Sequence, residues 1–143
     1  MKYFSYALTT NELTMMDICP EAVRFGPSTL YSHELRFAKT ADIIQNINST
    51  VEGVLWEVPE EYIDMITIIE NHEDKKQVLV SNGKDTIRAW TSKRKLYVPP
   101  GPPTWDYWER IENSYDQQGL PTLQIIHAID QLDNYYNTGF KFE

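Results

Sequence analysis

The sequence has little of what marks secreted or membrane proteins. It contains one cysteine in 143 residues, Cys19, so no disulfide can form within the chain, which is typical of a reducing compartment. Residues 1–6 lack the apolar core of a signal peptide, and no apolar run approaches the roughly 18 residues that a membrane-spanning helix needs. The sequence therefore predicts a cytoplasmic protein without membrane contact.

Basic residues are scarce. The chain has 13 lysines and arginines against 21 aspartates and glutamates, which gives a formal net charge of −8. A chain with this charge repels the phosphate backbone of a nucleic acid. The one basic run, Lys93-Arg94-Lys95, is short, and we interpret it as a solvated edge. These observations predict no nucleic-acid partner.

Repeats, low-complexity segments and linkers are also absent from the sequence. Its length and its 41% hydrophobic content favour one domain over residues 1–143 with a sizeable core, and a polar tail from about residue 134. Aromatic residues are plentiful at 13%, with nine tyrosines and four tryptophans. Such side chains fill cores, and they also line pockets for small polar ligands.

Strands and helices alternate irregularly along the chain. Gly26-Pro27 is expected to break one strand from the next, Asn82-Gly83 to turn a hairpin, and Gly119-Leu120-Pro121 to end a helix. The strands are predicted at residues 2–8, 22–25, 29–31, 35–37, 51–58, 76–80, 86–91 and 95–98. The helices are predicted from a cap at Thr9 or Thr10 to residue 19, and at residues 59–70, 105–118 and 122–132, the last with Leu123, Ile126 and Ile129 on one face. The pattern indicates an α+β fold with a mixed or mostly antiparallel sheet.

One carboxylate stands out on a helix face. Ile63, Ile66, Thr67 and Glu70 are spaced so that they share one side of the predicted helix. A glutamate on an apolar stripe is costly unless it is paired or used. At the end of its helix Glu70 is expected to reach water, and the helix dipole there disfavours its charged form, which suits a general base. The alternative is an ordinary exposed glutamate in the last turn.

Metal binding is not predicted. Glu70, Glu73 and Asp74 follow one another closely, but their spacing resembles no known metal-binding loop. We interpret them as a solvated acidic turn. Cys19 is likewise interpreted as a small buried residue, since no histidine stands near it in the sequence.

Several motifs follow one another in an order and spacing that resemble one family. They are Tyr3-Phe4-Ser5-Tyr6-Ala7-Leu8, Cys19-Pro20-Glu21-Ala22, Gly26-Pro27-Ser28-Thr29-Leu30, Val51-Glu52-Gly53-Val54-Leu55-Trp56-Glu57-Val58 and Gly119-Leu120-Pro121. This combination is similar to the γ-glutamylcyclotransferase family, which includes the γ-glutamylamine cyclotransferases, and the likeness runs from about residue 2 to residue 130. The resemblance implies a small mixed β-barrel flanked by helices, with a ligand pocket at the barrel mouth.

The resemblance also implies a site. Counted from Trp56 without gaps, Glu70 falls on the family's catalytic glutamate, and counted back from Gly119, Tyr107 falls on its substrate-binding tyrosine. The N-terminal motif stands where the family binds substrate. The implied substrate-binding residues are thus Tyr3, Phe4, Ser5, Tyr6, Ala7, Leu8 and Tyr107.

The implied reaction releases 5-oxoproline from a γ-glutamyl compound without metal or organic cofactor. The substrate's own α-amine attacks its γ-carbonyl, so the protein supplies a base rather than a nucleophile, and that role falls to Glu70. Backbone N–H groups of residues 5–8 are expected to stabilise the oxyanion, and Tyr6 and Tyr107 to orient the substrate. Trp105 and Trp108 are expected either to wall the pocket or to pack in the core. We expect a monomer or small homo-oligomer.

Some residues depart from the family pattern. Ala7-Leu8-Thr9 replaces glycine-serine-asparagine, Thr67 replaces an aspartate, and Asn71 replaces a glycine. Glycine permits backbone angles that alanine resists, and two polar side chains are lost or changed. These differences favour a second class of function, a binding module of the same fold that holds another small ligand or a protein partner without turnover. For an enzyme, the leaving amine stays open: an amino acid, a dipeptide, a lysine side chain or another amine.

Overall fold

Five strands close into a barrel. The computed structural model describes residues 1–136, with side chains described through residue 132. The barrel order is β1-β3-β2-β4-β5, and β5 closes on β1. The strands are β1 (Lys2–Ser5), β2 (Val23–Ala38), β3 (Thr40–Glu57), β4 (Asp74–Ser81) and β5 (Thr86–Lys93). β1 pairs antiparallel with β3 and parallel with β5, so the predicted mixed barrel is confirmed.

A long hairpin of β2 and β3 makes up most of the barrel wall. The prediction that Gly26-Pro27 breaks the chain into separate strands is wrong, because a register shift between Arg24 and Gly26 admits both residues into β2. Strands tolerate proline at such bulges. Residues 41–49, for which no regular structure was predicted, belong to β3 and pair with the end of β2. Residues 95–98, predicted as a strand, lie outside the sheet.

Gly53 allows β1 to pack tightly on β3. A Cβ atom at this position would collide with the carbonyl oxygen of Ser5 and with the ring of Phe4. Ser5 pairs with Val54 in the same ladder. The glycine therefore sets how closely the end of β1 approaches the barrel, and with it the position of the turn that follows.

Within residues 1–136, four helices pack around the barrel: α1 (Glu12–Ile18), α2 (Ile63–Ile69), α3 (Trp105–Gln118) and α4 (Leu123–Tyr136). Asn11, not Thr9 or Thr10, caps α1, since its side chain accepts a hydrogen bond from the backbone N–H of Thr14. α3 has the predicted bounds and ends at Gly119, whose φ of 69° is left-handed.

The buried face of α4 differs from the predicted one. Leu123 is 74% exposed and Ile126 is 41% exposed, whereas Ile125, Ala128 and Leu132 are buried. The predicted polar tail from about residue 134 begins with helix, since α4 continues to Tyr136. The remainder of that tail, residues 137–143, lies outside the described residues. Across residues 1–136, no helix has the length and apolarity to cross a membrane.

Candidate functional site

Glu70 lies immediately after α2, at the turn that leads into β4. Its backbone N–H still donates to Ile66, and the left-handed Asn71, with a φ of 60°, turns the chain away. Ile63, Ile66 and Thr67 are buried on the same face, as the spacing predicts. The expectation that Glu70 reaches water is wrong, because the residue is only 2% exposed.

Three hydrogen bonds hold the Glu70 carboxylate against the turn that follows β1. Oε1 accepts from the backbone N–H of Leu8 at 2.9 Å. Oε2 accepts from the backbone N–H of Thr9 at 2.9 Å and from its hydroxyl at 2.6 Å. Residues 8–10 form a single 3-10 turn, and the first N–H groups of such a turn have no partner within it. The carboxylate therefore satisfies donors that the turn itself leaves open.

Four buried tyrosines lie near enough to this carboxylate for its charge to affect them, and each hydroxyl has a partner. Tyr3 contacts the Ser92 hydroxyl at 2.9 Å, and Tyr6 donates to the Ser92 carbonyl at 2.6 Å. Tyr107 accepts from the backbone N–H of Ala41 at 2.9 Å. Tyr115 donates to the carbonyl of Tyr6 at 2.7 Å.

Burial raises the pKa of all four phenols above the ordinary range, and the negative charge of Glu70 adds to the rise. For Tyr6 the charge of Asp42 contributes more than that of Glu70. The four hydroxyls therefore stay protonated beyond the pH at which an exposed phenol ionises.

His72 and Ser92 extend the polar network, and sequence reasoning missed both as site residues. His72 is 5% exposed, and its Nε2 lies 2.8 Å from the carbonyl of Ala41. Its Nδ1 lies 2.7 Å from the Ser92 hydroxyl, and its ring stacks on Tyr6 with 5.9 Å between centroids. The sequence places His72 in an acidic turn, and only the left-handed Asn71 before it could have signalled that the chain turns inward. No motif marks Ser92.

The predicted site residues differ in whether they contact Glu70. Tyr3, Phe4, Ser5, Tyr6, Ala7 and Leu8 are all buried. Leu8 bonds Glu70 directly, whereas the ring of Phe4 packs next to Gly53. Trp108 is buried against Phe37, and Trp105 is 52% exposed at the surface.

The acidic turn does not converge on one point. The Glu70 carboxylate points into the barrel end, while the Glu73 carboxylate lies 3.8 Å from Arg94 and the Asp74 carboxylate lies 3.9 Å from Lys93. Ala7, which stands where the resemblance places a glycine, has a φ of −129° and a ψ of −130°, outside the common helical and extended regions.

Comparison with known proteins gives the fold. No family model matches the sequence, and no curated protein matches it. A solved structure described as gamma-glutamyl cyclotransferase is similar over 85% of this chain and 82% of its own, with a TM-score of 0.73 and 19% identity. The chain has the γ-glutamylcyclotransferase fold.

Two further solved structures share this γ-glutamylcyclotransferase fold. An uncharacterized protein from Homo sapiens has a TM-score of 0.73 and 20% identity, over 84% of this chain and 80% of its own. YkqA from Bacillus subtilis has a TM-score of 0.71 and 19% identity, over 97% of this chain and 56% of its own. At this level of identity the likeness establishes the architecture, and the chemistry is argued from the residues.

Proposed function

We propose that this chain is a γ-glutamylcyclotransferase-type enzyme that releases 5-oxoproline from a γ-glutamyl compound, with Glu70 as the general base. The observation that carries the proposal is the buried Glu70 carboxylate, which is held by the N–H groups of Leu8 and Thr9 and lies near tyrosines whose pKa is raised by burial and by its charge. Burying a charged group is costly, and structures tend to retain one where it is paired or used. A fold shared with a γ-glutamyl cyclotransferase supports the same conclusion.

The chemistry needs one proton carrier. The nitrogen of the substrate's free α-amine attacks the γ-carbonyl carbon, which forms the ring C–N bond. The bond from that carbon to the leaving amine then breaks. Glu70 accepts the proton that the attacking nitrogen loses and returns it to the leaving nitrogen, so that no water is consumed and no protein nucleophile takes part.

Substrate binding must exchange hydrogen bonds at the turn. The N–H groups of Leu8 and Thr9 already donate to Glu70. The Leu8 N–H, which the sequence suggested as an oxyanion donor together with those of residues 5–7, is therefore not free in this structure. In our proposal a substrate oxygen takes over these donors while Glu70 turns to the α-amine. Glu70 is 2% exposed, so substrate entry requires the side chains that cover its carboxylate to move.

The same contacts favour a second candidate. The donors that would hold a substrate are filled by the chain's own carboxylate, and Leu8 supplies an apolar side chain where the family carries serine. In a binding module of this fold, Glu70 would only hold the turn at residues 8–10 in place by its hydrogen bonds. A small ligand or a protein partner would then bind without turnover. The predicted site residues and the cytoplasmic location remain part of the proposal in both cases.

The decisive experiment is a screen for 5-oxoproline release. The purified chain is incubated with γ-glutamyl amino acids, glutathione, γ-glutamyl-ε-lysine and other γ-glutamyl amines, and the products are separated by chromatography and mass spectrometry. We expect release from at least one class, and none from its Nα-acetylated counterpart, which lacks the attacking amine. If none of the compounds yields 5-oxoproline, the enzyme proposal is wrong and the binding module takes its place.

A further inference from the structure

Positive charge is concentrated in one groove of this acidic protein. Although the net charge is −8, five of the 13 basic residues line a single groove of about 340 Å³. They are Arg36, Lys76, Lys93, Arg94 and Lys95, with His33 beside them. The sequence suggested that the run at residues 93–95 is a solvated edge, but the fold turns it towards cations from β2 and β4. None of the predicted cyclotransferase residues lines the groove.

Two arginines form the floor of the groove, Arg36 buried and Arg94 with its side chain 12% exposed. Arg36 is 6% exposed and donates to the carbonyl of Val98 at 2.6 Å and to Asp42 at 3.4 Å. Arg94 donates to the carbonyl of Ala38 at 2.9 Å and to the Thr40 hydroxyl at 3.1 Å. The Nε atom of each arginine is buried and has no hydrogen-bond partner. Buried donors without acceptors are costly, so the floor has hydrogen-bonding capacity that the chain does not satisfy.

Carboxylates balance only part of the charge. Asp42, Glu73 and Asp74 pair with Arg36, Arg94 and Lys93 respectively. In the described part of the chain, no carboxylate lies within salt-bridge distance of Lys76 or Lys95.

Lys76 instead lies beside a histidine, with its Nζ 3.0 Å from Nε2 of His33. Burial lowers the pKa of the Lys76 amine and the charge of Lys93 lowers it further, while the charge of Asp74 opposes part of this shift. Burial also lowers the pKa of His33, and the Lys76 cation adds to that effect. Lys76 and Lys93 therefore repel one another, and a bound anion would relieve that repulsion.

We propose that this groove is a binding site for a small, multiply charged oxyanion, a phosphate ester or a polycarboxylate. Guanidinium and ammonium groups together match the oxygens of such ligands. The rim is suited to an organic part, because the Tyr97 ring is 69% exposed and lies 4.8 Å from the Arg36 guanidinium, next to Ile44 and Leu96. The volume falls in the range of small-molecule pockets, and the acidic remainder of the surface opposes a long polyanion.

The test is titration calorimetry at low salt with inorganic pyrophosphate and citrate as separate probes. We expect at least one probe to bind, with an affinity that falls as salt is added. The double variant Lys76→Gln/Lys95→Gln should weaken that binding about tenfold or more. Lys84→Gln removes the same charge from an exposed lysine in the β4–β5 turn, outside the groove, and should bind like the parent.

The two probes identify the ligand class, since tighter pyrophosphate binding indicates a phosphate ester and tighter citrate binding a polycarboxylate. Lys95→Gln alone changes an exposed residue, so it keeps the test usable if Lys76→Gln unfolds the protein. The proposal is wrong if neither probe binds, or if the lysine variants bind as tightly as the parent. It is also wrong if a short single-stranded oligonucleotide binds more tightly than both probes.

Discussion

At the scale of single residues, three hydrogen-bond donors converge on the Glu70 carboxylate, which links α2 to the turn after β1. The spacing of Ile63, Ile66 and Thr67 indicated that Glu70 faces the core, and counting from Trp56 singled it out. Its partners could not be predicted, because they come from a turn 62 residues earlier in the chain. Thr9, which looked like the loss of a polar family residue, donates both its backbone N–H and its hydroxyl.

Replacement of Glu70 by glutamine should affect both catalysis and stability. If Glu70 is the base, Glu70→Gln should lower 5-oxoproline release by about 10²–10⁴-fold, since an amide cannot accept the amine's proton. Both carboxylate oxygens accept hydrogen bonds in a buried site, and the amide group of glutamine would point a donor at a donor. We therefore expect the free energy of unfolding to fall by about 2 kcal/mol, more than for the solvent-exposed glutamate that the sequence suggested.

Denaturant unfolding and the 5-oxoproline assay on the folded variant measure the two effects separately. Glu109→Gln, at an exposed position of α3, makes the same chemical change and should alter neither. Unchanged turnover in Glu70→Gln would remove the base assignment. An unchanged unfolding midpoint would contradict the hydrogen bonding described for the carboxylate.

At the scale of elements, local signals were reliable where the local chain decides the outcome. The bounds of α3 were predicted to the residue, because Trp105 follows proline-rich punctuation and Gly119 supplies a left-handed end. The hairpin of β4 and β5 was predicted because Asn82-Gly83 marks a turn between two strand-like runs. The prediction at Gly26-Pro27 was wrong because a β-bulge lets both residues continue within one strand, β2. The buried face of α4 was missed because the spacing of apolar residues does not show which of them meet the barrel.

Gly53→Ala should destabilise the barrel where β1 packs on β3. The added methyl group would meet the Ser5 carbonyl oxygen and the buried Phe4 ring, neither of which can move away freely. Overpacking of this kind typically costs about 1–3 kcal/mol. Thermal and denaturant unfolding measure the loss, and any 5-oxoproline release should fall with it, because Ser5 leads into the turn that holds Glu70.

Gly101→Ala is the matched control for this variant. A Cβ atom there would lie 3.6 Å from the side chain of Lys39, an ordinary contact. We expect its unfolding free energy to stay within about 0.5 kcal/mol of the parent. Equal stability of the two variants would mean that the approach of β1 to β3 is looser than described.

At the scale of the whole molecule, charge is separated in a way that composition could not reveal. The net charge of the protein is −8, yet one groove is lined by cations. These cations come from β2, β4, β5 and the segment after β5. A sum over the sequence carries no information about such convergence, because the pairing of β4 with β2 and with β5 brings these segments together. The same holds for the buried tyrosines, which come from β1, the turn after it, and α3.

Those tyrosines predict a loss of stability in alkali. Tyr3, Tyr6, Tyr107 and Tyr115 have pKa values raised above the ordinary value of 10.0 in the folded state, chiefly by burial. Phenols with raised folded pKa values contribute stability that is complete below about pH 10 and is lost as the pH rises above it, because the unfolded chain then releases protons that the folded chain retains. Each such phenol costs about 1.4 kcal/mol per pH unit in that window. Four acting together would offset a typical unfolding free energy of about 5–15 kcal/mol within roughly one to three pH units.

We therefore expect cooperative unfolding above about pH 11, with tyrosinate absorbance and circular dichroism changing together. Tyr3→Phe should reduce the slope of unfolding free energy against pH, whereas Tyr31→Phe, at a side chain 55% exposed, should not. Titration of all nine tyrosines near pH 10 in a chain that stays folded would show that these phenols are not buried.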